Sequence, residues 1–319
     1  MNPLKEVTMT DIRNSLPVGT MIDCYEVQKL MASGGFSLIY LALDLDSQDR
    51  VVIKEYLPKK LAMREEGKRL VKVISDEKHE GFNQGRRLFY QEARVLSLLK
   101  HPNIVNVRNF FLANDTAYLI MDYEEGKNLG GYIRKRGGGL STTFMMTVFP
   151  PILDALSMVH DNNQLHLDIK PSNIHLRPGG NPLLLDFGAA HEFLDHNKSR
   201  SGRVVTPGYS PVEQYYSTGK IGPWSDVYAI GASMRTCLDG KAPITSIERH
   251  AKDTLKPAVI AFKARYPAHM LEAIDWAMEV EARNRPQNAH ELLEAFLGES
   301  LPDSVPVKST SSDAIRRRQ

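Results

Sequence analysis

The residues best able to do chemistry lie in two short segments. His166-Leu167-Asp168-Ile169-Lys170-Pro171-Ser172-Asn173 is followed, eighteen positions after Asp168, by Asp186-Phe187-Gly188. Asp186 and Asn173 offer hard oxygen ligands of the kind that hold Mg²⁺ beside phosphate. Asp168 can accept a hydroxyl proton and orient the nucleophile, and Lys170 can neutralise charge on a phosphoryl group in transfer. An isolated Asp-Phe-Gly would read as ordinary turn sequence. The two segments together, in this order and at this spacing, point to phosphoryl transfer.

Elements on either side must position these loops. Short β-rich runs at 25–30, 38–44 and 51–55 are punctuated by Ser33-Gly34-Gly35 and by residues 46–50. A helix is predicted around 82–100 from the spacing of Phe89, Leu96 and Leu99, with His101-Pro102 ending it. Strands follow at 105–112 and 117–121, joined by the turn Ala113-Asn114-Asp115. After residues 122–127 the pattern becomes helical, at 128–136, 141–160, 224–238, 268–280 and 288–297, with short strands at 174–177 and 182–185. Pro150-Pro151 is expected to kink the second of these helices. A strand-rich part preceding a helix-rich part is an α+β pattern with a cleft at the junction near Tyr123.

Composition narrows the function classes. The 319 residues are 42% hydrophobic and 24% charged, ordinary globular values. Forty Lys+Arg against 38 Asp+Glu leave +2, which argues against a nucleic-acid partner. Two cysteines, Cys24 and Cys237, exclude a disulfide scaffold and fit a reducing, cytoplasmic setting. The first residues carry charges and no continuous apolar run, and no stretch was found to approach 18 apolar residues, so no membrane span is expected. Residues 1–24 read as an extension that packs partly through Ile12, Leu16 and Val18. Residues 298–319, rich in Ser and Pro and ending Arg316-Arg317-Arg318, read as a disordered tail.

Through these two segments the chain resembles the eukaryotic-type (Hanks-type) Ser/Thr protein kinases, most of all their bacterial branch, over residues 25–297. The resemblance implies a bilobal α+β fold. A small antiparallel-sheet N-lobe with one main helix (25–121) would join by a hinge (122–127) to a larger helical C-lobe (128–297). In Val51-Val52-Ile53-Lys54 it makes Lys54 the residue that holds the α/β-phosphates, with Glu92 as its ion-pair partner. Ala32-Ser33-Gly34-Gly35-Phe36-Ser37 resembles the glycine-rich loop, with Ala32 and Ser37 in place of its first and third glycines. Met121 would be the gatekeeper, the backbones of Asp122 and Glu124 would meet adenine, and Met31, Ile39 and Val52 would roof it. Asn128 falls near the ribose and His175 at the floor, where Leu is usual. Asp168 and Lys170 would act on the transferred group, Thr206 would bond both, and Asn173 and Asp186 would bind the metal. Glu213 would pair with Arg285, and Asp226 would cap the catalytic-loop backbone. The implied cofactors are ATP and Mg²⁺ (or Mn²⁺), and the implied partners are proteins phosphorylated on Ser or Thr.

Departures from the family pattern carry their own expectations. Leu167 stands where an Arg often precedes the catalytic Asp, so activity should not require phosphorylation of the activation segment. Asn128 and Ser172, where basophilic kinases carry acids, predict no preference for Arg upstream of the target hydroxyl. Ala32, Ser37, Val52 and His175 also fit a pseudokinase, a nucleotide-binding scaffold without transfer. Segment 206–214 resembles a peptide platform, which a small-molecule phosphotransferase would not need. The sequence leaves the oligomeric state open.

Overall fold

A computed structural model describes residues 8–187 and 205–299. Gly188, Ser199, Ser201 and the triplet Arg316 to Arg318 lie outside the described residues.

The chain opens with a short helix, α1 (Met9–Asn14), and then builds β1 (Met21–Ile22), β2 (Tyr25–Ser33), β3 (Ser37–Asp44) and β4 (Arg50–Tyr56). A hairpin, β5 (Ala62–Arg64) with β6 (Val71–Val73), follows. Next come α2 (His79–Leu98), β7 (Val107–Ala113) and β8 (Thr116–Asp122). The main sheet is antiparallel in the order β1-β2-β3-β4-β8-β7. Asn114 and Asp115 both take positive φ (52° and 60°), which the two-residue turn between β7 and β8 requires and these residue types tolerate. One face of α2 buries Phe82, Phe89, Ala93 and Leu96, and Glu92 is buried with them. The helix starts at His79, earlier than the apolar spacing predicts.

Side chains alternate across a strand, and residues opposite each other in an antiparallel register share a face. Lys54 therefore lies on one face of the sheet with Val52, Ile39, Leu119 and Met121. Glu55 lies on the other, in register with Leu38 and Tyr118.

The second lobe begins with β9 (Lys127–Asn128), α3 (Leu129–Arg136) and α4 (Thr142–Asp161). β10 (Ile174–Leu176) and β11 (Pro182–Leu184) pair with each other, and β10 also pairs with β9. Then come α5 (Val212–Tyr215), α6 (Pro223–Asp239), α7 (Ser246–Ala251), α8 (Ala258–Ala261), α9 (Ala268–Ala277) and α10 (Ala289–Leu297). Every residue of α6 from Ser225 to Leu238 is buried, packed against α4, α9 and α10. Cys237 lies within it, and burial pushes its thiol well above the ordinary range.

α4 runs unbroken through Pro150-Pro151, and the flanking Val148, Phe149, Ile152 and Leu153 are all fully buried. Two expectations need correction. That same helix is long and apolar enough, by length and composition, to cross a membrane, where no such stretch was expected. Its apolar residues are those that fill the core of the helical lobe, since a core helix and a spanning helix share composition. The extension packs mainly through polar groups: Leu16 is buried, but Ile12 and Val18 are exposed.

What anchors the extension is a buried network on the Glu55 face of the sheet. The Glu55 carboxylate accepts from the hydroxyls of Tyr40 (2.8 Å) and Tyr118 (2.7 Å) and, bidentately, from the Arg64 guanidinium. Arg64 also donates to the carbonyls of Asn14 (2.8 Å) and Arg69 (3.0 Å), while its own N–H reaches Asn14 Oδ1 at 2.9 Å. The Leu16 N–H donates to Tyr40 at 3.2 Å. Both charged side chains are fully buried. Burial works against the Arg64 cation, and the adjoining Glu55 outweighs it, holding the guanidinium charged.

Candidate active site

The loop between α4 and β10 is fixed by one buried carboxylate from α6. Asp226 accepts the N–H groups of His166 (2.8 Å) and Leu167 (2.7 Å), and His160 Nε2 lies 3.0 Å from it. Burial alone would raise its pKa, but these bonds and the neighbouring imidazoles lower it, so it stays an anion. The Leu167 carbonyl accepts from the Gln214 amide at 2.9 Å. Leu167 itself takes a left-handed backbone (φ 62°), a strained conformation for a branched residue, and its side chain is buried.

This loop carries Asp168 into a polar cluster. Lys170 Nζ lies 2.8 and 2.6 Å from the two Asp168 oxygens, and the Thr206 hydroxyl donates to Oδ1 at 2.7 Å. Lys170 also reaches Thr206, at 3.3 Å. The Asn173 amide nitrogen bonds the Asp168 carbonyl (2.9 Å) and Oδ2 (3.2 Å). Its own Oδ1 is thereby left as an acceptor, approached by the Ser172 hydroxyl at 3.5 Å.

Lys54 meets this cluster from the sheet. Its ammonium is 2.6 Å from Asp186 Oδ1 and 4.0 Å from Glu92 on α2. Burial opposes the ammonium, but Asp186 and Glu92 together outweigh it and hold Lys54 firmly protonated. In return the Lys54 charge holds the Asp186 carboxyl down to about 2. Asp186 has positive φ (58°), and half of its side chain remains open to solvent. Phe187 beside it is buried, its ring 4.5 Å from that of His166.

The expected nucleotide-contacting residues flank the same space. Val52, Ile39 and Met121 share the Lys54 face, and Ala32 is buried at the end of β2, with Met31 exposed beside it. The turn between β2 and β3 is closed by Gly34 N–H donating to Ser37 O at 2.8 Å, with Gly35 at its tip. Asp122 ends β8 and is tied to Arg108 and Asn106, while Glu124 lies 3.5 Å from Arg177. Gly126 adopts φ 147°, and a Cβ there would fall 2.1 Å from the Leu176 carbonyl and 2.6 Å from His175 Nε2. Only glycine allows the link between lobes to pass this close to β10. His175 is half-buried, paired in register with Asn128 and Leu183, its ring packed toward Gly126. Asn128 caps α3, its Oδ1 accepting from the Gly131 N–H at 2.7 Å, so its amide NH₂ is the group left for a ligand.

The remaining expected pair lies below the cluster. Arg285 binds both Glu213 oxygens, at 2.7 and 3.1 Å, and donates to the carbonyls of Glu279, Val280 and Trp224. Ser225 donates to Glu213 at 2.8 Å. Sequence reasoning missed Gln214, Ser225 and His160, polar residues whose partners are distant in the chain, and no spacing marks them.

The chain is similar to proteins already known. Residues 25–300 match the family described as the protein kinase domain. Serine/threonine-protein kinase PknA of Nostoc sp. is 29% identical over 302 residues, covering 90% of this chain and 50% of that protein. Serine/threonine-protein kinase PrkC of Bacillus subtilis is 28% identical over 219 residues, covering 69% of this chain and 31% of that protein. The chain thus spans half or less of the length of these relatives. The solved structure titled PpkA-294 apo form superposes with a TM-score of 0.80 at 31% identity, covering 89% of this chain and 99% of that one. By motif, fold and match alike, the chain belongs to the protein kinase family.

Proposed function

We propose that the chain is an active Ser/Thr protein kinase, transferring the γ-phosphoryl group of MgATP to protein hydroxyls. The observation that carries this reading is the convergence of Lys54, Glu92 and Asp186 beside the cluster of Asp168, Lys170, Thr206 and Asn173. The donor set fits the cofactor: Asp186 and Asn173 each keep a hard oxygen available, and Lys54 supplies a permanent cation. Bound there, MgATP supplies the phosphoryl group and the charge neutralisation that its metal brings. The chain's own residues do the rest. Lys54 holds phosphate oxygens, and its distance from Glu92 fits a helix α2 set for that task. Asp168 Oδ accepts the proton of the incoming hydroxyl, and Lys170 offsets the negative charge that then accumulates. Met31, Ile39, Val52, Met121 and His175 shape the adenine slot, with the backbones of Asp122 and Glu124 at its edge.

Leu167, buried and apolar, offers no cation for a phosphate in the activation segment, which supports activity independent of such phosphorylation. Replacing Ser199, Ser201 and Thr218 by Ala together should leave kcat within tenfold; a larger loss would refute this point. The function itself is tested with γ-labelled ATP, Mg²⁺ and a generic protein acceptor, beside Lys54→Met and Asp186→Ala. Label on Ser or Thr, lost in both variants, is expected. Tight magnesium-dependent ATP binding without transfer would instead identify a nucleotide-binding scaffold, and label on a small acceptor a different phosphotransferase.

A further inference from the structure

The ladder between β3 and β4 does not stop where the strands end. Past the Ser37–Tyr56 pair, the Leu57 N–H donates to the Phe36 carbonyl at 2.9 Å and the Lys59 N–H to the Gly35 carbonyl at 3.1 Å. Residues 57–59 therefore grip the tip of the glycine-rich loop by its backbone. Pro58, between the two donors, has no N–H to give and starts the tight turn that leads into β5.

The segment doing the gripping is itself held by the extension. The Lys59 ammonium is ion-paired with Asp11 of α1. Asp11 is nearly inaccessible, 2% exposed, an unusual place for a carboxylate on a six-residue surface helix. Its other oxygen accepts from the Thr8 N–H (3.0 Å) and hydroxyl (2.7 Å), and Thr8 caps the helix in return. The Ser33 hydroxyl, at the base of the loop, lies near enough to help keep this carboxyl ionised. Burial would raise the Asp11 pKa, but Lys59 and Thr8 overcome it and hold it below the usual carboxylate range. At its far end α1 is fastened through Asn14 to Arg64 and through Leu16 to Tyr40. Residues 8–16 are thus held at Asp11, on the gripping turn itself, and at Asn14 and Leu16, on β5 and β3 beside it.

We propose that residues 8–16 form a strap that positions the glycine-rich loop, with Asp11 acting through Lys59 as a positioning residue for nucleotide phosphate. A loop with Ala32 and Ser37 in place of two glycines still needs its tip N–H groups directed at phosphate. The strap fixes that direction from the face of the sheet opposite Lys54, touching neither nucleotide nor acceptor. This inference rests on the kinase reading for its consequence, though not for its geometry.

The test uses the full chain with Lys59→Met, Asp11→Asn, both together, and Lys59→Arg, which keeps the ion pair. Lys59→Met is the key variant because it leaves the Thr8–Asp11 cap intact. Hydrogen exchange at the amides of Gly34, Leu57 and Lys59, which hold the loop, should accelerate about tenfold in Lys59→Met, with the Glu55 network unchanged. The Kd and KM for ATP should rise about three- to tenfold while kcat stays within about twofold. The double variant should be no worse than the singles, since one contact is lost in each, and Lys59→Arg should resemble the parent. Unchanged exchange at Gly34, Leu57 and Lys59 would overturn the proposal. So would exchange accelerated evenly over the whole sheet, which would mean a general loss of stability. If the parent neither binds ATP nor transfers phosphate, the kinase reading fails, and the exchange data still decide whether the strap holds the loop.

Discussion

Replacing Arg64 by Met should be among the most damaging single changes outside the candidate active site. The side chain is fully buried and donates to both oxygens of Glu55 and to the carbonyls of Asn14 and Arg69. Met fills a similar volume, so the lost packing is small and the charge imbalance dominates. The substitution strands the Glu55 carboxylate in a dry site with only two tyrosine hydroxyls, and breaking a buried pair in this way costs about 3–5 kcal/mol. At roughly 2–3 °C per kcal/mol for a chain of this size, the midpoint should fall by about 6–15 °C. Because Trp224 and Trp276 both lie in the helical lobe, their fluorescence would miss a transition confined to the sheet. Far-UV circular dichroism with hydrogen exchange at 50–56 is the appropriate assay. The companion Glu55→Gln/Arg64→Met removes the stranded charge and should recover part of the loss, giving strong non-additivity against the singles. A cost below about 1 kcal/mol for Arg64→Met would refute the argument that this pair is desolvated and mutually dependent.

Two further outcomes follow from the site. Asp186 has its pKa depressed to about 2 by Lys54, so the stabilisation from this contact is fully present above the ordinary carboxylate pKa and is lost only as pH falls toward 2. Carboxyl NMR should show Asp186 ionised through pH 4, and Lys54→Met should move its titration up toward about 4; an unperturbed titration in the parent would contradict the geometry. Gly126→Ala places a Cβ against the Leu176 carbonyl in a backbone region closed to alanine. It should cost at least about 1–3 kcal/mol of stability and weaken ATP binding, both readable by thermal shift with and without nucleotide.

Much of the candidate site was legible because its residues are close in sequence. Asp168, Lys170 and Asn173 fall within six positions, and the turn that carries them needs only local bonds and the cap from Asp226 to bring them together. The pairing of Lys54 with Glu92, and of Glu213 with Arg285, was legible only through family resemblance, since no periodicity links residues so far apart. The longer strands and helices followed from alternation and helical spacing, with most ends shifted by a few residues, whereas α1, β1, the β5–β6 hairpin, β9 and the short helices α5, α7 and α8 are too short to show a period. The apolar pattern of α4 could not distinguish a core helix from a spanning one, because both bury hydrocarbon on nearly every side.

The sequence by itself determined which groups could perform the chemistry and the order of elements that carry them. Tertiary structure alone decided how residues 8–16 are held. Their apolar side chains suggested hydrophobic packing, yet Asp11 and Asn14 supply the attachment, finding Lys59 and Arg64 some 50 positions along the chain. A buried carboxylate is tolerable only where folding brings its counter-charge and its hydrogen-bond donors to the same place. That coincidence arises from the sheet register and the β5–β6 hairpin together, and neither is written in the spacing of the residues that depend on it.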